Sequence, residues 1–229
     1  MIAIIGAMEV EIAGVVSKIT ELQVVKSGKL QVARGKIGGK EVAVCRCGIG
    51  KVNAAAAASF MIERFKDITL VINLGVAGGI KSGIRQGDFV VASAAVQHDY
   101  DLSPDGSPVG RVAGYESHEF TCEREAADKM SQALTALGYT HYRGVIASGD
   151  QFINCKQKCH DLSTQFRAYA CDMETAAIAH VCDLFGKKFL GVRAMSDNAD
   201  GTAIDDFYTF MQKAAERSIA AVCRFLELA

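Results

Sequence analysis

Two apolar runs near the end of the chain, each stopping at an acidic residue, restrict the fold more than any other feature. Phe166 to Cys171 reads as a short hydrophobic strand that ends at Asp172-Met173-Glu174. Ala176 to Phe185 reads as a helix apolar all round, and Phe189 to Met195 as a second buried strand ending at Ser196-Asp197. A helix that is apolar on every side needs cover on every side, and strands without polar alternation need cover on both faces. Such a chain folds as α/β, and carboxylates at the carboxyl ends of strands mark the edge where an open α/β sheet binds ligands. Asp172, Glu174 and Asp197 are therefore expected to converge, as proton transfer around a sugar or a base requires.

The rest of the chain repeats the alternation. Residues 2–5 form a strand, and Glu9 to Ile19 an amphipathic helix with Val10, Val15, Val16 and Ile19 inward. Val24–Lys26, Leu30–Gly35 and Glu41–Cys47 alternate between Ser-Gly and Gly-Gly turns, as a meander does. A helix opens at Gly48-Ile49-Gly50-Lys51 and reaches Phe65; the strand Thr69–Asn73 runs into Leu74-Gly75-Val76-Ala77-Gly78-Gly79. A strand at Asp88–Val96, a helix at Glu123–Leu137 and a strand at Tyr142–Ala147 follow. The last helix starts near Ala203, with Ile204, Phe207, Met211, Ala214, Ala215, Ile219, Val222, Phe225 and Leu226 on one stripe. No linker interrupts the series, so residues 1–229 are expected to form one domain: three α/β/α layers around a mixed, largely parallel central sheet.

Composition excludes several functions. The formal net charge is -1, with Lys and Arg scattered, which leaves no footprint for nucleic acid. No apolar run is long enough to cross a bilayer, and Met1-Ile-Ala-Ile-Ile-Gly6 lacks the basic start of a signal peptide. A cytoplasmic protein is expected. The eight cysteines form no Cys-x2-Cys pair and sit mostly among apolar residues. They read as free thiols behaving as small hydrophobes, and neither a metal nor a cofactor is expected.

Several candidate positions carry two readings each. Glu9 and Glu11 suit a first helical turn through the helix dipole alone, or stand at a strand end for chemistry. The Gly48–Gly50 turn either cradles an anion or permits close helix–sheet packing. It is neither a Walker loop nor a dinucleotide fingerprint, since no Ser or Thr follows Lys51 and Asn53 replaces the third glycine. The glycines at 75–79 either admit a ligand to the backbone or make a tight turn. Phe152, after Ser148-Gly149-Asp150-Gln151, either stacks on a planar base or fills the core. Asp150 has a further use as a bond to its own turn. Tyr100–Tyr115 holds both prolines and reads as a lid or a subunit contact, while His180 reads as structural.

Six motifs in one order carry a resemblance across the chain. They are Gly6-Ala-Met8-Glu-x-Glu11, Gly48-Ile49-Gly-Lys-Val-Asn, Asn73-x-Gly-x-Ala-Gly-Gly, Ser148-Gly-Asp-x-Phe152-Ile153, Asp172-Met173-Glu174 and Arg193-x-x-Ser196-Asp197. Together they resemble the purine nucleoside phosphorylase superfamily, and within it the bacterial nucleosidases of 5′-methylthioadenosine and S-adenosylhomocysteine. The resemblance implies that Asp197 protonates the departing adenine at N7 and that Glu11 activates the attacking water. It implies that Glu174 holds the ribose hydroxyls beside the Met173 main chain, that Phe152 stacks on the purine, and that the Ile153 main chain meets the purine edge. Met8, Ile49, Met173 and Phe207 would shape the apolar side around the ribose and its 5′ substituent. Val76, Arg193 and Ser196 complete the expected binding set. A homodimer is implied, with the 100–115 loop reaching the neighbouring pocket.

Chemistry favours water over phosphate as the nucleophile. A phosphate dianion calls for arginines and backbone donors, yet no arginine lies between Gly6 and Arg34, and strand one leads into Glu9 and Glu11. Arg193 is the single arginine near the acids. Burial beside a strand would raise Asp197, while Glu11 at a helix start would stay ionised. Val76 departs from the Ser or Thr that the nucleosidases carry there, which weakens a phosphate site and also removes a shared polar contact. Aminodeoxyfutalosine hydrolysis is the nearest rival, phosphorolysis comes next, and a storage protein related to the superfamily is the non-enzymatic alternative. Three acids in one pocket argue against the last.

Overall fold

The computed structural model describes residues 1–197 and 203–229, the side chains of 203–209 excepted. The chain begins with β1 (Ile2–Gly6), α1 (Glu9–Val16) and the strands β2 (Thr20–Ser27), β3 (Leu30–Ile37) and β4 (Lys40–Arg46). Then come α2 (Lys51–Arg64), β5 (Leu70–Gly79), β6 (Phe89–Gln97), β7 (Phe120–Thr121), α3 (Arg124–Ala136) and β8 (His141–Ser148). It ends with α4 (Lys156–Phe166), β9 (Ala168–Asp172), α5 (Thr175–Leu184), β10 (Lys188–Asp197) and α6 (Ala203–Leu228).

Helices cover the mixed sheet on both faces. Ile4, Ile72 and Leu74 point to the side packed by Ile12 and Val15 of α1, Met130 and Leu134 of α3, and Phe225 of α6. Ala3, Ile5 and Val71 point the other way, onto Ala54 and Ala58 of α2 and Ile178 of α5. Successive side chains of a strand point to opposite faces, so both residues of each pair have to be apolar, and β5 is buried along its whole length. Helix α1 ends at Val16, yet two backbone turns, Lys18 to Val15 and Ile19 to Val16, carry Ile19 back into the core. Among the described residues no helix is long and apolar enough to cross a membrane.

The sheet is open on one wing only. Strands β10, β6, β8, β9 and β5 pair in succession, and β5 pairs again with β10, closing a ring of five. From β5 the wing continues through β1, β4, β3 and β2. Pairing is parallel for β4–β1–β5–β10 and for β6–β8–β9, and antiparallel where the ring closes at β10–β6 and β5–β9.

Closure explains why the glycines at 75–79 do not form a turn. They continue β5 as its far end, which is wedged between two partners: Gly78 pairs with Cys171 of β9 and with Asp197 of β10. The acid-tipped strands thus meet across β5 and not beside each other. Helix α4 was not anticipated, because its sequence is polar apart from Cys159, Leu162 and Phe166, the three residues it buries against β8 and β9. The two-residue β7 was also not anticipated; it is a single short pairing on β6.

Candidate active site

At the end of the ring where β5, β9 and β10 terminate lies a cleft open to solvent. Glu11, Glu174 and Asp197 all line it, although they lie far apart in sequence. Each is nearly sealed from solvent, at 2%, 5% and 3% exposure. The apolar walls come from Met8, Ile49, Val76, Phe152, Ile153 and Met173, and Ser196 lies beside Asp197.

Glu11 is fixed by backbone. One carboxylate oxygen accepts the Ala7 and Met8 N–H groups at 2.7 and 2.8 Å, and the other accepts the Val76 N–H at 3.0 Å. It sits in the first turn of α1, so the dipole reading holds, and the same placement aims it into the cleft. Burial pushes its pKa above the ordinary carboxylate range, opposed by Arg193 and by the three backbone donors. The sequence kept two readings open for Glu11, a dipole-favoured acid in a first helical turn or a group at a strand end for chemistry, and neither anticipates its burial. Its actual burial follows from β5, which packs against it.

Gly75 is what makes that packing possible. A Cβ there would lie 2.3 Å from Glu11 Oε1 and 2.8 Å from Arg193 Nη1. The missing side chain admits the protein's own acid and base to the backbone, a use of the glycine run that neither sequence reading contained.

The Gly48–Gly50 turn does cradle an anion, and again the anion belongs to the protein. Gly50 N–H donates to Glu174 Oε1 at 2.9 Å, and Lys51 N–H to Asp150 Oδ1 at 2.8 Å. Gly50 has φ of +99°, a conformation that favours glycine. Two carboxylates therefore occupy the start of α2, where the helix dipole favours them. Asp150 bonds to α2 instead of to its own turn.

Arg193 does not line the cleft, which corrects its expected place in the binding set. It is 1% exposed and lies underneath. Its Nε and Nη2 reach Asp172 Oδ2 at 2.7 and 2.6 Å, Nη2 donates to Asn73 Oδ1 at 2.5 Å, and Glu174 is 3.6 Å away. Ser148 Oγ donates to Asp172 Oδ1 at 2.5 Å, and the Thr175 hydroxyl donates to Asp172 Oδ2. Every charge in this layer is satisfied by neighbours, as buried charges must be. Glu174 lies above it and is pushed up to about 7, by burial first and then by the charge of Asp172, with Arg193 pulling the other way.

Phe152 is half exposed at the mouth, which rules out the core reading. Phe207 lies outside the described side chains. Asp197 follows a bulge in β10, and the Ser196 hydroxyl lies 2.7 Å from its Oδ2. His180 is structural: it stacks on Phe120 at 4.6 Å and meets Gln97 at 3.1 Å. Sequence reasoning missed Asn73, Ser148 and Thr175. The signal available for Asn73 was a polar residue inside the most apolar strand. Gln151 and Cys171 also line the cleft and carried no signal. No described residue lining the cleft is basic.

A model of the phosphorylase superfamily matches residues 1–227. The chain is similar to the 5′-methylthioadenosine/S-adenosylhomocysteine nucleosidase of Shewanella denitrificans, with 35% identity over 98% of both chains. It is similar in structure to the nucleosidase of that name from Neisseria meningitidis, solved in complex with methylthio-immucillin-A, with a TM-score of 0.95, 32% identity and coverage of 100% and 99%. It is also similar to a futalosine hydrolase mutant of Helicobacter pylori, with a TM-score of 0.95, 30% identity and coverage of 100% and 99%.

Two outcomes follow from the geometry. Gly75→Ala drives a methyl group into the Glu11 carboxylate and is expected to lower catalytic turnover on the order of a hundredfold, the scale of a misplaced catalytic group. Turnover within threefold of wild type would show that the close approach is not needed. Glu174 binds its proton more tightly folded than unfolded, so its contribution to stability is full below pH 4.5 and lost as pH rises through about 7. The melting temperature of Glu174→Gln should therefore gain on wild type between those pH values, and a constant difference would refute the assignment.

Proposed function

The chain belongs to the phosphorylase superfamily, and from that premise we propose that it is a one-domain hydrolase acting through Glu11 and Asp197. It cleaves the N-glycosidic bond of 5′-methylthioadenosine and S-adenosylhomocysteine and releases adenine. The observation that carries the reading is the set of four buried carboxylates, Glu11, Asp172, Glu174 and Asp197, around one cleft whose described lining has no cation. A phosphate dianion would meet negative charge there without compensation, since Arg193 is committed to Asp172. Water has no such penalty.

In the reaction, water adds to C1′ as its proton passes to Glu11. The C1′–N9 bond breaks, its electron pair leaves with adenine, and Asp197 supplies the proton to N7. Burial raises the pKa of Glu11, which is the direction a general base needs to work near neutral pH. Negative charge at Glu174 and Glu11 favours the oxocarbenium character that develops on the ring. Glu174 accepts from the ribose hydroxyls beside the Met173 main chain. Phe152 stacks on the purine, the Ile153 main chain meets its edge, and Met8, Ile49 and Val76 enclose the apolar side.

The protein acts as a homodimer in the cytoplasm. Supporting the dimer, Ile49 and Phe152 at the mouth and Val52 in the first turn of α2 leave apolar surface, with exposures of 53%, 50% and 80%. The 100–115 segment starts next to them, since Asp99 is bound to Lys51 at 2.6 Å. Eight free cysteines suit a reducing compartment. A second reading, hydrolysis of aminodeoxyfutalosine, is favoured by the likeness to the Helicobacter pylori futalosine hydrolase.

Adenine release should be measured on methylthioadenosine, S-adenosylhomocysteine and aminodeoxyfutalosine, with and without phosphate. Phosphate should neither speed release nor yield a ribose 1-phosphate, and such a product would make the enzyme a phosphorylase. Glu11→Gln should abolish turnover while the nucleoside still binds; near-normal turnover would refute the base assignment.

A further inference from the structure

Strand β10 ends in an irregularity that sets the direction of Asp197. Met195 pairs with Ala77 and Asp197 with Gly78, so Ser196 is left over in the ladder with β5. A bulge of this kind bends a strand and re-aims the side chain that follows. The opposite edge of β10 is held by the segment leading into β6. Val192 to Ala194 face Val91 to Phe89, Met195 N–H donates to the Asp88 carbonyl at 2.9 Å, and Gly87 N–H donates to the Met195 carbonyl at 2.9 Å.

The next rung has to supply a donor to the Ser196 carbonyl. The backbone turns at Gly87, with φ of +87°. In its place the side-chain amide of Gln86 reaches back, and Nε2 donates to the Ser196 carbonyl at 2.7 Å. Ser196 is fully buried, and its hydroxyl lies 2.7 Å from Asp197 Oδ2. A chain of contacts thus runs from Gln86, through Ser196, to the carboxyl that faces the cleft. Gln86 itself does not line the cleft.

We infer that Gln86 is a positioning residue for this reaction, its amide completing the β10 edge so that the bulge presents Asp197 in one orientation. The inference rests on the proton-donor role proposed above for Asp197. General acid catalysis requires hydrogen-bond reach at the moment the bond breaks, so a small loss of alignment lowers the rate of the protonated departure in particular. Loss of one neutral hydrogen bond sets the scale, roughly five- to tenfold.

The test compares two leaving groups. Adenine departs with a proton on N7, whereas 4-nitrophenyl β-riboside releases a phenolate that needs none. Gln86→Met and Gln86→Glu both remove the donor at similar side-chain length. The ratio of kcat/KM for the two substrates does not depend on the folded fraction, so partial misfolding leaves it readable. Expected is a loss of about fivefold to tenfold on the adenine nucleoside, with the nitrophenyl riboside changed by less than about twofold. Asp197→Asn should show the same selectivity with a larger loss. If Asp197→Asn is selective and both Gln86 variants slow the two substrates equally, or neither, the role of Gln86 is overturned while the acid assignment stands. If Asp197→Asn itself slows both substrates equally, the proton-donor reading fails and this inference fails with it.

Discussion

The whole site depends on one buried cation. Arg193 stands beneath the cleft with Asp172 at ion-pair distance, Asn73 accepting from its Nη2, and Glu174 and Glu11 within its electrostatic reach. Without it, three nearby carboxylates would share a desolvated space with no compensating charge. Breaking a buried ion pair of this kind costs about 3–5 kcal/mol, a large fraction of a domain's stability. Residues from β5, β8, β9, β10 and α5 take part, so the pairing of the ring strands and the charge balance of the site reinforce each other.

The fold was largely legible in the sequence, because continuous apolar strands and amphipathic helices announce a sheet covered on both sides. Most of the expected helices and strands appear within a few residues of their expected ends, whereas β5 runs on past Asn73 to Gly79. What periodicity does not encode is closure. Nothing in Leu74–Gly79 reveals that it will be flanked by two strands at once, since that depends on partners more than ninety residues away. Helix α4 escaped for a local reason: three buried side chains in a polar stretch are too few to stand out.

At the site, the acids at strand ends were legible and the layer beneath them was not. Asp172, Glu174 and Asp197 could be grouped by position alone, and Glu11 joined them through the resemblance. Arg193 was expected in the binding set because Arg193-x-x-Ser196-Asp197 is one of the motifs that carry the resemblance. Asn73, which bonds to it, and Ser148 and Thr175, which bond to its partner Asp172, are polar residues of ordinary types, and only three-dimensional pairing shows that they satisfy buried charges. The glycine motifs each carried two readings in the sequence, an outside ligand at the backbone or a packing or turn role. They serve instead to let Glu11, Arg193, Glu174 and Asp150 approach the main chain.

Ring closure also separates two kinds of variation. Strand number and stagger in the closed ring set where Asp172 and Asp197 end, while Glu11 is held in the first turn of α1 and Glu174 by the Gly50 N–H. Insertions or deletions in the segments that rim the mouth leave that frame untouched. A change in the rim thus alters the room left for a substrate's tail without moving the strands that end beneath it.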